Sequence, residues 1–336
     1  MLFRSELYYL KFSWLNVGYA LPFGSWLFGM YGVGFLIFAI ASVYLASRWP
    51  NVPARLFVIL VIFMIFIPAD YSSRKTNIIS LVGIQMEFPS ECILPKVLNQ
   101  ALAKNTNAQI FVLSEYTLNE KPGGVPDALK DWCRTNSRFL VVGGKQFVTN
   151  DVYYNTAFVV GTNGDIVFQQ AKRVPIQFFA DGLPATKQEL WDSPWGKIGI
   201  CICYDLSYTR VTDELIRQGA QLLIVPTMDV ETWGRHQHEL HSRIAPVRAA
   251  EYGVPIFRLA SSGISQAVTG YGSVIAQTPM PGNGEILSAQ LRLPRRSSLP
   301  LDRIFAPVCT AITAMVLAAL LFLEWKAKRA LQTRAV

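Results

Sequence analysis

The sequence predicts an α/β domain held between membrane-crossing helices, and three observations predict it. Apolar strand-like runs alternate with amphipathic runs from about residue 76 to 260. Long stretches at both ends carry no charge. A carboxylate, an amine and a thiol close three of the strand-like runs, where α/β folds assemble their sites.

The expected strands lie near 76–84, 108–114, 138–146, 153–160, 165–170, 197–203, 221–226 and 255–260. The expected helices lie near 91–104, 125–136, 208–218 and 238–252. No internal repeat or Gly-rich phosphate loop interrupts them, and Gly143-Gly144 is too isolated to count as one.

Composition fixes the setting. The chain has 336 residues, 51% hydrophobic and 16% charged, too apolar for an ordinary soluble domain. Phe12 to Ser47 holds no charged residue, and Leu27 to Ala46 is long enough to span a bilayer as a helix. Leu56 to Ala69 has 14 residues. That is about 21 Å of helix against a hydrocarbon core of about 30 Å, so it spans only by extending back to about Val52 with Arg55 snorkelling. Ile304 to Leu323 gives a further 20 uncharged residues. A secretory signal would place a short apolar core and a small-residue cleavage site at the start, whereas the first run here is long and followed by another.

The expected organisation is a membrane segment at 1–71, a catalytic domain at 72–300, a transmembrane helix at 301–325 and a basic cytoplasmic tail at 326–336. Lys326, Lys328, Arg329 and Arg334 in the tail, and Arg48 and Arg55 between the first two runs, are basic flanks of the kind that stay in the cytoplasm. The domain then lies on the opposite side, which in a bacterial inner membrane is the periplasm. The net charge of +8 is spread over the N-terminal segment, the tail and the rest, and does not point to nucleic acid.

Gly196-Lys-Ile-Gly-Ile-Cys-Ile-Cys-Tyr-Asp-Leu206 is the most informative stretch, an apolar strand ending in a cysteine. A thiol at a strand mouth can serve as a nucleophile if a base and an oxyanion stabiliser lie nearby. Glu115 closes one upstream run and Lys172 another. Taken singly, a strand-end Glu or Lys is usually solvated and a free Cys usually a buried small hydrophobe. Cys201 rivals Cys203, because residues two apart on a strand face one side.

In the order Glu115, Lys172, Cys203, however, the chain resembles the nitrilase, or carbon-nitrogen hydrolase, superfamily from about 76 to 295. Within it the chain looks most like the apolipoprotein N-acyltransferases. The shared segments include Tyr154-Asn155-Thr156-Ala157, Lys172-Arg173, Cys203-Tyr204-Asp205, Arg217 to Leu223, Arg248-Ala249-Ala250-Glu251 and Ser262-Gly263-Ile264-Ser265. Tyr204-Asp205 after the thiol favours Cys203 over Cys201. TraB-type conjugal transfer proteins are similar fusions of spans and nitrilase domain. The resemblance implies a four-layer α-β-β-α sandwich and no cofactor. It implies Glu115 as base, Cys203 as nucleophile, and Lys172 with the backbone N–H of Tyr204 as oxyanion stabilisers, with Asp205 beside the substrate. The acyl donor would be a phospholipid, the acceptor the N-terminal amine of a lipoprotein, and the intermediate a thioester. The alternatives are a membrane-anchored amidase and a conjugal transfer accessory protein.

Two departures stand out. The resemblance covers only the late membrane helices, through Gly29 to Leu36, and the family's Pro-Phe-Gly-Glu-Tyr stretch is replaced by Pro175-Ile-Gln-Phe-Phe-Ala-Asp181, in which Asp181 is out of register with the family's second glutamate. Trp191, Trp195, Phe178, Phe179 and Trp233 are candidate membrane-facing aromatics or ordinary packing, and 227–233 is expected to be a mobile loop. Cys92 and Cys133 are an unsupported candidate disulfide pair. His236, His238 and His241 lack the companions of a zinc site and read as a solvated or substrate-facing loop.

Overall fold

A computed structural model describes residues 25–46, 77–121, 123–177, 180–295 and 297–334. Its centre is two six-stranded sheets packed face to face. In the first, β1 (Ile78–Met86), β2 (Ile110–Leu113), β3 (Phe139–Phe147), β4 (Tyr153–Val160) and β5 (Ile166–Ala171) run in order, with β12 (Asn283–Arg292) outside β1. In the second, β6 (Leu190–Ser193), β7 (Gly196–Ile200), β8 (Leu222–Thr227), β9 (Ile256–Ala260), β10 (Gln266–Val268) and β11 (Val274–Gln277) follow in order from one edge to the other. Three central strands of each sheet, β1-β2-β3 and β7-β8-β9, are parallel, so their carboxyl ends gather at one edge.

Alternation decides which way each side chain goes. Ile110 and Val112 on β2 join the core between the sheets with Ile198, Ile200 and Phe257. Phe111 and Leu113 face outward beneath α2 (Leu94–Lys104) and α3 (Asp127–Asn136), where Trp132 meets Phe111 edge-on at 5.0 Å. On the second sheet α4 (Thr209–Arg217) and α6 (Ile244–Tyr252) supply the cover through Val211, Leu215, Ala245 and Ala249. These are the four expected α-β-β-α layers.

The expected helix over 238–252 is two, α5 (Arg235–Ser242) and α6, which meet at Arg243. The expected strand 197–203 stops at Ile200, so Cys203 is not on a strand and does not share a strand face with Cys201. Strands β6, β10, β11 and β12 have no counterpart in the sequence expectation.

Two further helices flank the sandwich. α1 (Ser25–Ala46) is broken at Gly29 (φ 68°, ψ 169°), so the first uncharged run is not one continuous helix. Helix α7 (Asp302–Arg334) contains Asp302–Lys326, the one stretch among the described residues long and apolar enough to cross a membrane, with mean hydropathy 2.3. Its apolar side chains, from Ile304 to Trp325, are exposed. The run Leu56–Ala69 lies outside the described residues.

Candidate active site

The parallel strands deliver the three candidate groups to one place. β2 ends at Leu113, and Ser114 anchors the exit by donating its hydroxyl to the Met86 carbonyl at 3.0 Å. Tyr116 then turns with φ 57°, leaving Glu115 between the sheets. β3 passes so close that a Cβ on Gly143 would sit 2.6 Å from Glu115 Cα, so glycine there is a steric requirement of the site. Lys172 follows β5, its N–H donating to the Asn155 carbonyl at 2.7 Å.

Cys203 opens a 3-10 turn, Cys203–Ser207, with φ 50°, a left-handed conformation that costs a non-glycine residue energy unless its surroundings impose it. The surroundings are specific. Asp205 accepts the backbone N–H groups of Ile202, Arg173 and Val174 at 3.3, 3.1 and 2.8 Å, tying the turn to the segment after Lys172. Arg248, fully buried on α6, donates to the carbonyls of Leu206 at 3.2 Å and Ser207 at 2.9 Å at the other end. Asp205, expected beside the substrate, is therefore spent on backbone. Tyr204 is buried edge-on against Tyr208 at 4.7 Å.

Glu115, Lys172 and Cys203 are all buried. Lys172 Nζ lies 2.8 Å from Glu115 Oε1 and 2.7 Å from Asp181 Oδ2. Two of its three protons are thereby used, and no third partner appears among the described residues. Glu115 Oε1 also accepts from Asn155 Nδ2 at 2.6 Å, and Oε2 from the Met228 N–H at 2.6 Å. The Met228 carbonyl in turn receives the Cys203 thiol at 3.8 Å. One peptide residue thus touches both the carboxylate and the thiol.

Burial pushes the Glu115 carboxyl above its ordinary range, an effect that the Lys172 charge opposes and the Asp181 charge adds to. Burial works against the Lys172 ammonium, but Glu115, Cys203 and Asp181 outweigh it and hold the amine well above its usual pKa, firmly protonated. The Cys203 thiol is driven well up by burial and then by Glu115, with Lys172 pulling the other way. At rest the site therefore holds a neutral thiol beside an ion-paired carboxylate. Glu115 is the group placed to take the proton, and Lys172 the group placed to meet negative charge.

Three site residues escaped the sequence reading. Asp181, set aside on spacing, is an ion-pair partner of Lys172, and it accepts from Tyr116 Oη at 2.6 Å, Asn155 Nδ2 at 2.9 Å and the Ile176 N–H at 2.8 Å. Asn155 belongs to the Tyr154-Asn-Thr-Ala157 segment, whose sequence pattern assigns it no role. Met228 acts through its backbone, which no sequence pattern displays.

Within 227–233, Thr227 and Asp229 are buried while Glu231 and Thr232 are exposed. Asp229 is buried and holds His241 Nδ1 at 2.7 Å and Arg258 Nη2 at 2.5 Å. His238 and His241 are buried on α5, so the histidine cluster is not a solvated loop, although His236 is exposed. Trp191 is buried against Phe139 at 5.4 Å and Trp195 packs on the same ring, at the end of β7 opposite Cys203. Trp191 belongs to the core between the sheets, and Trp195, half-buried, packs against it. Phe178 and Phe179 lie outside the described residues. All five cysteines are free thiols, and Cys92 is exposed while Cys133 is buried.

The sequence pattern of the Carbon-nitrogen hydrolase family matches residues 86–300. The chain belongs to that family. It is 26% identical over 182 residues to the deaminated glutathione amidase of Dictyostelium discoideum, covering 48% of this chain and 62% of that one. It is 25% identical over 214 residues to the apolipoprotein N-acyltransferase of Geobacter metallireducens, covering 56% of this chain and 41% of the relative. The chain thus spans about half the length of these curated relatives. Among solved structures, a carbon-nitrogen hydrolase from Helicobacter pylori G27 superposes with a TM-score of 0.55 at 18% identity, over 64% of this chain and 89% of that one. The nitrilase-like sandwich is therefore the fold of this family member, with an amidase and an acyltransferase both among its relatives.

Proposed function

We propose that this carbon-nitrogen hydrolase family member is a membrane-bound acyltransferase, moving a phospholipid acyl chain through a thioester on Cys203 to the N-terminal amine of a lipoprotein. The observation that carries the reading is the exposed apolar helix Asp302–Lys326 on the same chain as a buried Glu115–Lys172–Cys203 centre. A helix that crosses a bilayer holds the domain beside lipidic donors and lipid-modified acceptors. The basic flanks favour a periplasmic domain on a bacterial inner membrane.

Glu115 takes the thiol proton as Cys203 Sγ attacks the ester carbonyl. The oxyanion forms beside the Lys172 ammonium and the Tyr204 N–H. Collapse breaks the ester C–O bond, and the lysophospholipid oxygen leaves with the proton from Glu115. The acceptor amine then attacks the thioester, gives a proton to Glu115, and displaces the thiolate, which is reprotonated. Asp181 and Asn155 keep Lys172 charged and aimed.

A second reading, an amidase, is favoured by the similarity to the glutathione-derived amide hydrolase and differs only in its acyl donor and in water as acceptor. Intact mass spectrometry after incubation with phospholipid vesicles separates them. A hydroxylamine-labile gain of one fatty acyl chain, absent from Cys203→Ala, is the expected result. No adduct on folded protein overturns the transferase reading in favour of the amidase.

A further inference from the structure

The break in α1 is used. At Gly29 the helix opens, and two of the backbone groups beside the break find partners elsewhere: the Leu27 carbonyl accepts the Leu301 N–H at 2.7 Å and the Met30 N–H donates to Glu251 Oε1 at 3.2 Å. A Cβ on Gly29 would fall 2.2 Å from Asp302 Oδ2, so the backbone of α1 touches the first turn of α7. Met30 and Val33 nearby on α1 are buried.

Arg303, the second residue of α7, closes this junction against the sandwich. Its guanidinium reaches Asp213 Oδ2 at 2.8 Å, Glu251 Oε1 at 3.1 Å, Asp302 Oδ1 at 2.7 Å and Tyr252 Oη at 3.1 Å. Tyr252 in turn donates to Asp213 at 2.7 Å. Glu251 is fully buried and bridges two arginines, Arg303 on Oε1 and Arg248 on Oε2. Arg248 then holds the carbonyls of Leu206 and Ser207, the last residues of the turn that Cys203 begins. A continuous set of charge-assisted hydrogen bonds thus runs from the root of the exposed apolar helix to the nucleophile turn.

We propose that Arg303 is a positioning residue: through Glu251 and Arg248 it makes the seating of α7 on the sandwich fix the turn that carries Cys203. The inference rests on Cys203 as the reactive group of the proposed function. Cys203 needs this support because its left-handed backbone is held from outside, and Arg248 is the tie at the downstream end of the turn. Removing Arg303 leaves Glu251 buried with one cation instead of two, and frees Arg248 to follow it. A shift of α7 in the bilayer would act on the turn by the same route.

The experiment is amide hydrogen exchange on the full chain in lipid nanodiscs, comparing wild type, Arg303→Ala and Arg303→Lys, with peptides covering 202–208 read against peptides from the first sheet. Loss of a charge-assisted tie should speed exchange in 202–208 by about tenfold in Arg303→Ala, with the first sheet unchanged. Arg303→Lys, which keeps a cation beside Glu251, should restore most of the protection. Unchanged exchange in 202–208 overturns the proposal, and so does an equal acceleration everywhere, which would mean general loosening. If Arg303→Ala does not fold, Glu251→Gln cuts the same link and is read against the same two outcomes. The measurement needs no substrate, so a missing acyl adduct on wild type would sink the acyltransferase reading and leave this result standing.

Discussion

Asp181 Oδ2 sits 2.7 Å from Lys172 Nζ, both side chains out of contact with water. With Glu115 on the other side, the ammonium is shared by two buried carboxylates. The arrangement keeps Asp181 below its ordinary pKa, because Lys172 and the hydrogen bonds from Tyr116 and Ile176 outweigh burial. With both carboxylates ionised, the trio carries one buried negative charge in excess.

Removing the cation tests this. Lys172→Met should cost about 3–5 kcal/mol at neutral pH, because two carboxylates lose their partner inside the protein. Both would then bind protons more tightly in the native than in the unfolded chain. Stability gained in that way is present at low pH and lost as pH rises, so the deficit should shrink toward pH 5. Thermal unfolding from pH 5 to 8 checks it, and a deficit independent of pH would contradict the charge balance described here.

The nucleophile turn has its own titrating tie. Burial lifts Asp205 from 3.8 to about 6, with Lys172 and the three backbone N–H donors holding it from going higher. A raised native pKa means the folded state takes up the proton first, so stability falls as pH rises from about 4 to about 6, by about 3 kcal/mol in all, and is level above that. Asp205→Asn should flatten this window. It should also cost about 1–3 kcal/mol at pH 7, since its amide cannot accept from all three donors. Denaturant midpoints of the two proteins between pH 4 and 7 decide the matter.

How much of this was legible follows from what each residue needs. Glu115, Lys172 and Cys203 close apolar runs, and a run has a period that can be read. Asp181 reaches Lys172 through an irregular segment after β5, where neither period nor spacing constrains the path. Met228 contributes only its backbone. Strand β12 lies beside β1, about two hundred residues earlier, and its alternation is diluted by polar positions on its exposed face. The Gly29 break was invisible because a glycine within an apolar helix is ordinarily tolerated, and only the approach of Asp302 gives it a purpose.

The second buried network, behind Met228, predicts an acid sensitivity of opposite sign. Burial alone would raise Asp229, but His241 and Arg258 overcome it and hold the carboxyl well below its usual range. Its contribution is therefore present above about pH 4 and lost as pH falls below that. Asp229→Ala strands the Arg258 guanidinium in the core and should cost about 3–5 kcal/mol. A double variant, Asp229→Ala with Arg258→Met, should recover part of the loss. Failure to recover any of it in an unfolding titration would assign the cost to packing instead of charge.

Gly143 offers the sharpest separation of catalysis from stability. A methyl group there would meet Glu115 Cα at 2.6 Å and the Ser114 carbonyl at 2.8 Å, both backbone atoms that cannot rotate away. Gly143→Ala must therefore push the Glu115 segment off its present position, at a strain of about 1–3 kcal/mol. The carboxylate holds Lys172, Asn155 and the Met228 N–H at 2.6–2.8 Å, and a shift of even half an ångström degrades all three contacts together. Reactions that depend on placing a base lose about a hundredfold for an ångström of misplacement. The expected outcome is a folded protein whose rate of thioester formation falls far more than its unfolding midpoint. Equal, modest losses in both would place the strain elsewhere and free Glu115 from the role assigned to it.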